Sequence, residues 1–187
     1  MAPVRHSRGA VERINALCAI GACLPLVGAI YEQFAGSELP CPLCLLQRMA
    51  FLGIGIGCAL NLKFGVRGSH YAIVLMSAMV GAATSIRQVL LHIQPGDPGY
   101  GGPVFGIHLY TWTVLLSAFT IVGTSLLMLF DGPRPSPPGP RRLDRLERIA
   151  VGLVVLLALA NVALAFAMCG FGPCPEDPKG YWLFGGG

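Results

Sequence analysis

Charge is what this sequence has least of. Only 12% of its 187 residues are Asp, Glu, Lys or Arg, against 54% that are hydrophobic. A water-soluble domain of this size needs more charge to cover its surface, so an ordinary soluble globular protein is excluded. The mean hydropathy of +0.66 points the same way. Period-two alternation is missing too, which argues against strands. No internal repeat is present, which argues against a repeat array. The net charge of +4 does not indicate nucleic acid, because the basic residues sit in short clusters between apolar runs. The expected class is therefore an all-α membrane protein without a nucleic-acid partner.

Five apolar runs account for most of the chain, at about residues 14–35, 44–62, 70–92, 104–130 and 149–168. A helix needs about 20 residues to cross the hydrocarbon core, and each run is near that length. The second run holds Gly53, Gly55 and Gly57, which suit close contact between membrane helices. No cleavage is expected after the first run: it is too long for a signal peptide, no small-residue cleavage site follows, and four more runs do.

A second scarcity orients these spans. Segments 36–43 and 93–103 contain no Lys or Arg, and the tail after the fifth run has only Lys179. The basic residues cluster at Arg5, Arg8 and Arg13, at Lys63 and Arg67, and at Arg134, Arg141, Arg142, Arg145 and Arg148. With a cytoplasmic N-terminus, all of these clusters fall inside. The expected organisation is a cytoplasmic N-terminus (1–13), a four-span bundle (14–130), a Pro- and Arg-rich cytoplasmic linker (131–148), a fifth span (149–168) and an outer tail (169–187). The basic stretch 141–148 reads as an anchor against anionic lipid.

That topology puts two cysteine pairs on the outer side, where disulfides persist. Cys41 and Cys44 flank Pro42 and Leu43 at the start of the second span. Pro42 suits the first helical position, and the free N–H groups and dipole of a helix start favour a thiolate. A thiolate is the species that attacks a disulfide. A static bridge here would close a tiny loop and add little stability. A zinc site needs four ligands held together, which the two pairs could supply in principle. We read Cys41 and Cys44 as redox-active and expect no resident metal. Cys169 and Cys174 enclose turn-forming residues, so a bridge between them is feasible. They can serve as an electron shuttle or as a structural staple. Cys18, Cys23 and Cys58 read as small apolar residues in helix contacts.

Arg48 and Arg87 lie inside spans, near their outer ends, where ionisable residues are costly and usually functional. Arg48 follows Cys44 by four residues and shares its helix face, one turn deeper. It can stabilise a thiolate or the charge that forms on an electron acceptor. His92, beside Arg87 and Gln88, can hydrogen-bond such an acceptor. Glu32 and Gln33 end the first span at a similar depth. The Gly- and Pro-rich segment 95–103 should cover the site, and His108, Tyr110 and Trp112 open the fourth span as interface aromatics.

The run Cys41-Pro42-Leu43-Cys44-Leu45-Leu46-Gln47-Arg48, with Arg87-Gln88, His92 and His108-Leu109-Tyr110-Thr111-Trp112, resembles the DsbB family of disulfide bond formation proteins. The resemblance covers the first four spans. It implies a DsbB-like four-helix bundle, to which this chain adds a fifth transmembrane helix. It implies a bacterial inner-membrane thiol oxidase that reoxidises a periplasmic DsbA-like, thioredoxin-fold partner and passes the electrons to ubiquinone or menaquinone. Carried over by position, Cys44 faces the quinone, Cys41 exchanges with the second cysteine pair, and Arg48 helps bind the quinone, with Gln47, Arg87 and His92 as further cofactor-binding candidates. The better-known members carry their second pair between the third and fourth spans, where residues 93–107 here hold no cysteine. Cys169 and Cys174 are the candidate replacement. The alternative is a membrane assembly or metal-handling protein that uses outward-facing cysteines without quinone chemistry.

Overall fold

The structure, a computed structural model, describes residues 8–36, 39–130, 141–175 and 178–185. Arg5, Arg134 and the linker stretch 131–140 lie outside the described residues. Among the described residues five helices follow one another: α1 (Arg8–Ala35), α2 (Pro42–Phe64), α3 (Gly68–Leu91), α4 (Leu109–Phe130) and α5 (Arg145–Cys169), with a short 3₁₀ turn at Trp182–Phe184. All five are long and apolar enough to cross a membrane, and there are no strands among the described residues. The chain is a multi-pass, all-α membrane protein.

Helix ends follow local chemistry. Pro42 occupies the start of α2 and Cys41 is its N-cap, with an extended backbone. Asp144 caps α5 in a reciprocal capping box with Glu147, so α5 begins at Arg145, earlier than its apolar run. The fourth span starts later than its apolar run, at Leu109. Residues 104–107 instead form a tight turn in which Val104 and Ile107 pair and Phe105 and Gly106 take φ of 52° and 83°. Trp112 Nε1 fastens that turn to α4 by donating to the Val104 carbonyl at 3.0 Å.

The central element is α2. It packs against α1, α3 and α5, while α4 packs chiefly on α3. The glycines of α2 set these approaches. A Cβ on Gly53 would lie 2.2 Å from Ser77 Oγ, and one on Gly57 2.6 Å from Val74 Cγ2, both on α3. A Cβ on Gly55 would lie 3.0 Å from Val154 on α5. Small residues let the backbones close in, where dispersion replaces the hydrophobic effect as the driving force. Leu26, Ile54, Leu62, Val74 and Ala78 fill the core, and Cys23 and Cys58 pack among them. Large apolar side chains such as Leu129, Leu156 and Leu159 are exposed, and Asn15, Asn61, Ser85, Ser117 and Asn161 are buried. This inside-out arrangement suits a lipid surround.

α1 and α4 scarcely touch. The gap between them is a cleft of about 1020 Å³ that runs from Ile14 and Leu17 up to Cys44, Arg48 and Tyr100. The fifth helix lies against α1 and α2 and does not reach α3 or α4 among the described residues. Arg141 ties its start to the bundle. Its side chain donates to the Leu62 carbonyl at 3.2 Å, to Glu12 at 3.4 Å and to Glu147.

Candidate active site

Cys41 and Cys44 sit where the chain enters α2. Their Sγ atoms are 2.6 Å apart. The Cys41 sulfur also accepts the Cys44 backbone N–H at 3.2 Å, as an N-cap side chain does. The hydrogen bond with Cys44 and then burial push the Cys41 thiol well above the ordinary thiol range. Cys41 is buried, whereas Cys44 is half-buried and lines the cleft.

One amide serves both sulfurs. Gln88 of α3 is 2% exposed, and its Nε2 lies 3.7 Å from Cys41 Sγ and 3.6 Å from Cys44 Sγ. Its Oε1 accepts from Gln47 Nε2 at 2.7 Å, which fixes the end of the amide that faces the sulfurs. Because Gln47 and Cys44 leave the same turn of α2, this contact ties α3 to the cysteine pair.

Arg48 is 7% exposed. Its Nη1 donates to Gln33 Oε1 at 2.7 Å and its Nη2 to the Ala29 carbonyl at 2.8 Å, both on α1. Its Nε is buried without a partner among the described residues. A buried N–H with no acceptor is costly. Gln33 in turn donates from Nε2 to the Tyr181 hydroxyl at 3.0 Å.

The segment after α3 roofs the cleft. The Tyr100 hydroxyl donates to the Leu39 carbonyl, and Tyr100, Gly101, Val104 and Phe105 line the opening. Asp97 accepts from Gly99 N at 2.8 Å and pairs with His92 Nδ1 at 3.1 Å. The Gly99 N–H and His92 hold its carboxyl below the usual range. His92 and His108 both stack with Tyr110, with ring centroids 5.8 Å and 5.1 Å away.

The structure thus brings together Cys41, Cys44, Gln47 and Arg48. It does not bring Arg87 to them: Arg87 is exposed, while the adjacent Gln88 points into the bundle. His92 caps α3 and faces the roof segment rather than the cleft wall. Cys169 and Cys174 are joined to each other in a disulfide, at the end of α5 whose tail reaches Gln33, and neither is bridged to Cys41 or Cys44. Gln33 and Tyr181 enter the site without having been singled out for it, and Gln88, named only beside His92, enters as the contact to both sulfurs. For the two glutamines the signal was a polar amide at the depth of Arg48. Tyr181 carries no sequence signal, since it reaches Gln33 only through the path of the tail.

Residues 11–102 match the family described as "Disulfide bond formation protein DsbB". The protein named "Disulfide bond formation protein B" from Pseudomonas syringae pv. tomato is 44% identical over 80 residues, 40% of this chain and 47% of that protein. Those of the same name from Stutzerimonas stutzeri and Burkholderia pseudomallei are 34% identical over 82 and 89 residues. Their matches cover 42% and 46% of this chain, and 50% and 52% of those proteins. The matched segment holds most of α1, all of α2 and α3 and the first part of the roof, and with them Cys41, Cys44, Gln88 and Arg48. α4, α5 and the tail lie beyond it. The chain spans about half the length of these DsbB relatives. No solved structure is significantly similar to it.

Proposed function

We propose that this chain is a membrane protein-thiol oxidoreductase that reoxidises a periplasmic DsbA-like, thioredoxin-fold dithiol oxidase and passes the electrons to ubiquinone or menaquinone. The observation that carries this reading is the meeting of three things at one point: the Cys41–Cys44 pair, the buried cation of Arg48, and the mouth of an apolar cleft. The Lys and Arg distribution supports a bacterial inner-membrane protein with a cytoplasmic N-terminus and periplasmic cysteines.

The cleft suits a quinone. Its walls from α1 and α4, among them Leu17, Pro25, Leu116 and Phe119, are apolar, and Gln47, Arg48 and Gln88 gather at one end. Such a shape takes a polar head and an apolar chain, and Arg48 sets a cation on the wall at that end. Arg48 and Gln47 would hold the head; Arg87 and His92 do not line the cleft. When bound, a quinone supplies an acceptor for two electrons and two protons.

The chain's own residues do the thiol chemistry. A partner thiolate attacks Cys41 Sγ of the oxidised pair. The Cys41–Cys44 bond breaks, a Cys41–partner bond forms, and Cys44 leaves as a thiolate. The partner's second thiolate then attacks its own bridged sulfur and releases Cys41. The partner has lost two electrons and the pair has gained them. Gln88 Nε2 meets charge on either sulfur, and Cys41, pushed up by its contact with Cys44, takes up a proton on release.

Cys169–Cys174 is the proposed intermediate carrier: the partner's two thiolates reduce this disulfide and leave the partner oxidised, and the two tail thiolates then attack Cys41 by the same two exchanges, which re-forms the tail disulfide. Two facts support it: the pair stands at the Cys41 end of the bundle as a disulfide, and residues 93–107 offer no cysteine of their own. If Cys174→Ser leaves partner oxidation unchanged, the tail is not the carrier and the partner reaches Cys41 directly.

The deciding experiment traps thiols by acid and alkylation, with a reduced thioredoxin-fold oxidase and with or without a short-chain ubiquinone, in wild type and Cys41→Ser. The pair should become reduced with the partner alone and return to the disulfide when quinone is added. A pair that stays oxidised under all conditions refutes the proposal. Zinc or copper in stoichiometric amount in the purified protein would favour the metal-handling alternative.

A further inference from the structure

Arg48 does not hold its own position. Its two anchored nitrogens rest on Gln33 Oε1 and the Ala29 carbonyl. The second is helix backbone and cannot move away. The first is a side-chain amide, whose two ends differ. The guanidinium only donates, so Gln33 must present its carbonyl, and its NH₂ then points away from Arg48. Gln33 is 3% exposed, so that NH₂ needs an acceptor within the protein. The Tyr181 hydroxyl is that acceptor, at 3.0 Å.

Tyr181 belongs to neither the helices that form the cleft nor the segment that matches the DsbB family. It lies in the tail, and the tail is held there by independent contacts. The Cys169–Cys174 bridge turns the chain at the end of α5. Trp182 packs edge-on to Phe166 at 6.0 Å and lies against Gly170, where any Cβ would meet its ring at 2.6 Å. Phe184 packs edge-on to Tyr181 at 6.0 Å. The phenol is thus carried to Gln33 by a folded segment.

We propose that Tyr181 is a positioning residue for Arg48, acting through Gln33, so that the tail after α5 sets the guanidinium on the cleft wall. The consequence for quinone rests on the reading of Arg48 given above. The positioning itself does not.

The test uses the full chain in lipid nanodiscs. Tyr181→Phe removes the acceptor oxygen and keeps the ring and its packing. Gln33→Leu removes the link between Tyr181 and Arg48. The first readout needs no quinone: the rate at which phenylglyoxal, an arginine-selective reagent, modifies Arg48, mapped by mass spectrometry. Tyr181→Phe should raise that rate by about three- to tenfold, the range that one hydrogen bond carries. In the Gln33→Leu background the same Tyr181 change should have no further effect, because coupled residues are not additive. An unchanged rate in Tyr181→Phe, or an equal increase in both backgrounds, overturns the proposal. The second readout is turnover with a short-chain ubiquinone, in which KM should rise by a similar factor with kcat within about twofold. A faster Arg48 modification with an unchanged quinone KM upholds the positioning by Tyr181 and refutes Arg48 as a quinone residue.

Discussion

Replacing Gln88 with leucine tests the geometry of the thiol pair most directly. Leucine keeps nearly the same volume in a position that is 2% exposed, so the packing of α3 should survive. What disappears is the Nε2 donor at 3.7 Å and 3.6 Å from the two sulfurs. Whichever sulfur leaves when the disulfide is attacked, it carries negative charge, and a hydrogen bond to a charged group contributes about 1.5–3 kcal/mol. These contacts are long, so the lower end applies, and a loss of about 1.5 kcal/mol slows bond cleavage by about tenfold. The assay mixes oxidised protein in nanodiscs with dithiothreitol, quenches with acid and counts alkylated Cys41 and Cys44 over time. Dithiothreitol keeps the result independent of any partner or quinone. Gln47→Leu is the companion variant: it removes the 2.7 Å contact that orients the Gln88 amide, and should slow the reaction by about threefold, as expected for one neutral hydrogen bond. Equal rates in wild type and Gln88→Leu would show that the amide does not act on the sulfurs. A larger effect for Gln47→Leu than for Gln88→Leu would show that the order of the chain of contacts is wrong.

Gly57→Ala should destabilise the bundle by about 1–3 kcal/mol, since its Cβ would lie 2.6 Å from Val74 Cγ2 and 2.9 Å from the His70 carbonyl. Gly152→Ala, with nothing within 4 Å, should be neutral or slightly stabilising, and unfolding by detergent titration compares the two. Arg141→Met leaves the Glu147 carboxylate, 6% exposed, without its cation. The arginine is 39% exposed, so we expect a loss of about 1–2 kcal/mol rather than the full cost of a buried pair, seen as earlier protease release of α5. Cys41 has its thiol pushed up, first by the Cys44 hydrogen bond and then by burial. It therefore stays protonated as pH rises through the ordinary thiol range, and iodoacetamide should label it slowly until the pH lies beyond that range. Cys44→Ala removes the larger cause, so the onset should move to lower pH; superimposable pH–rate curves would refute that assignment.

Several features of this protein are properties of one helix at a time, and those were legible from the chain alone. Hydropathy over about 20 residues marks a span wherever its neighbours lie. Pro42 starts a helix and puts Cys41 and Cys44 at its N-terminus by backbone geometry, and a spacing of four puts Arg48 one turn below Cys44. Gly53, Gly55 and Gly57 announced close packing, although not that Gly53 and Gly57 would meet α3 and Gly55 would meet α5. The ends of helices were less legible, because capping decides them: Asp144 with Glu147 starts α5 early, and the Val104–Ile107 turn starts α4 late.

What the tertiary structure decided is which faces of separate helices meet. Arg87 and Gln88 are neighbours in sequence, yet a rotation of about 100° per residue sends one outward and the other onto both sulfurs. Gln33 and Tyr181 are 148 positions apart, and no periodicity links them. The cleft exists because α4 packs on α3 and leaves α1 uncovered. The cysteine pair and its arginine are thus written locally in α2, whereas their hydrogen-bond partners come from α1, α3 and the tail, and only the packing of those segments could bring them there.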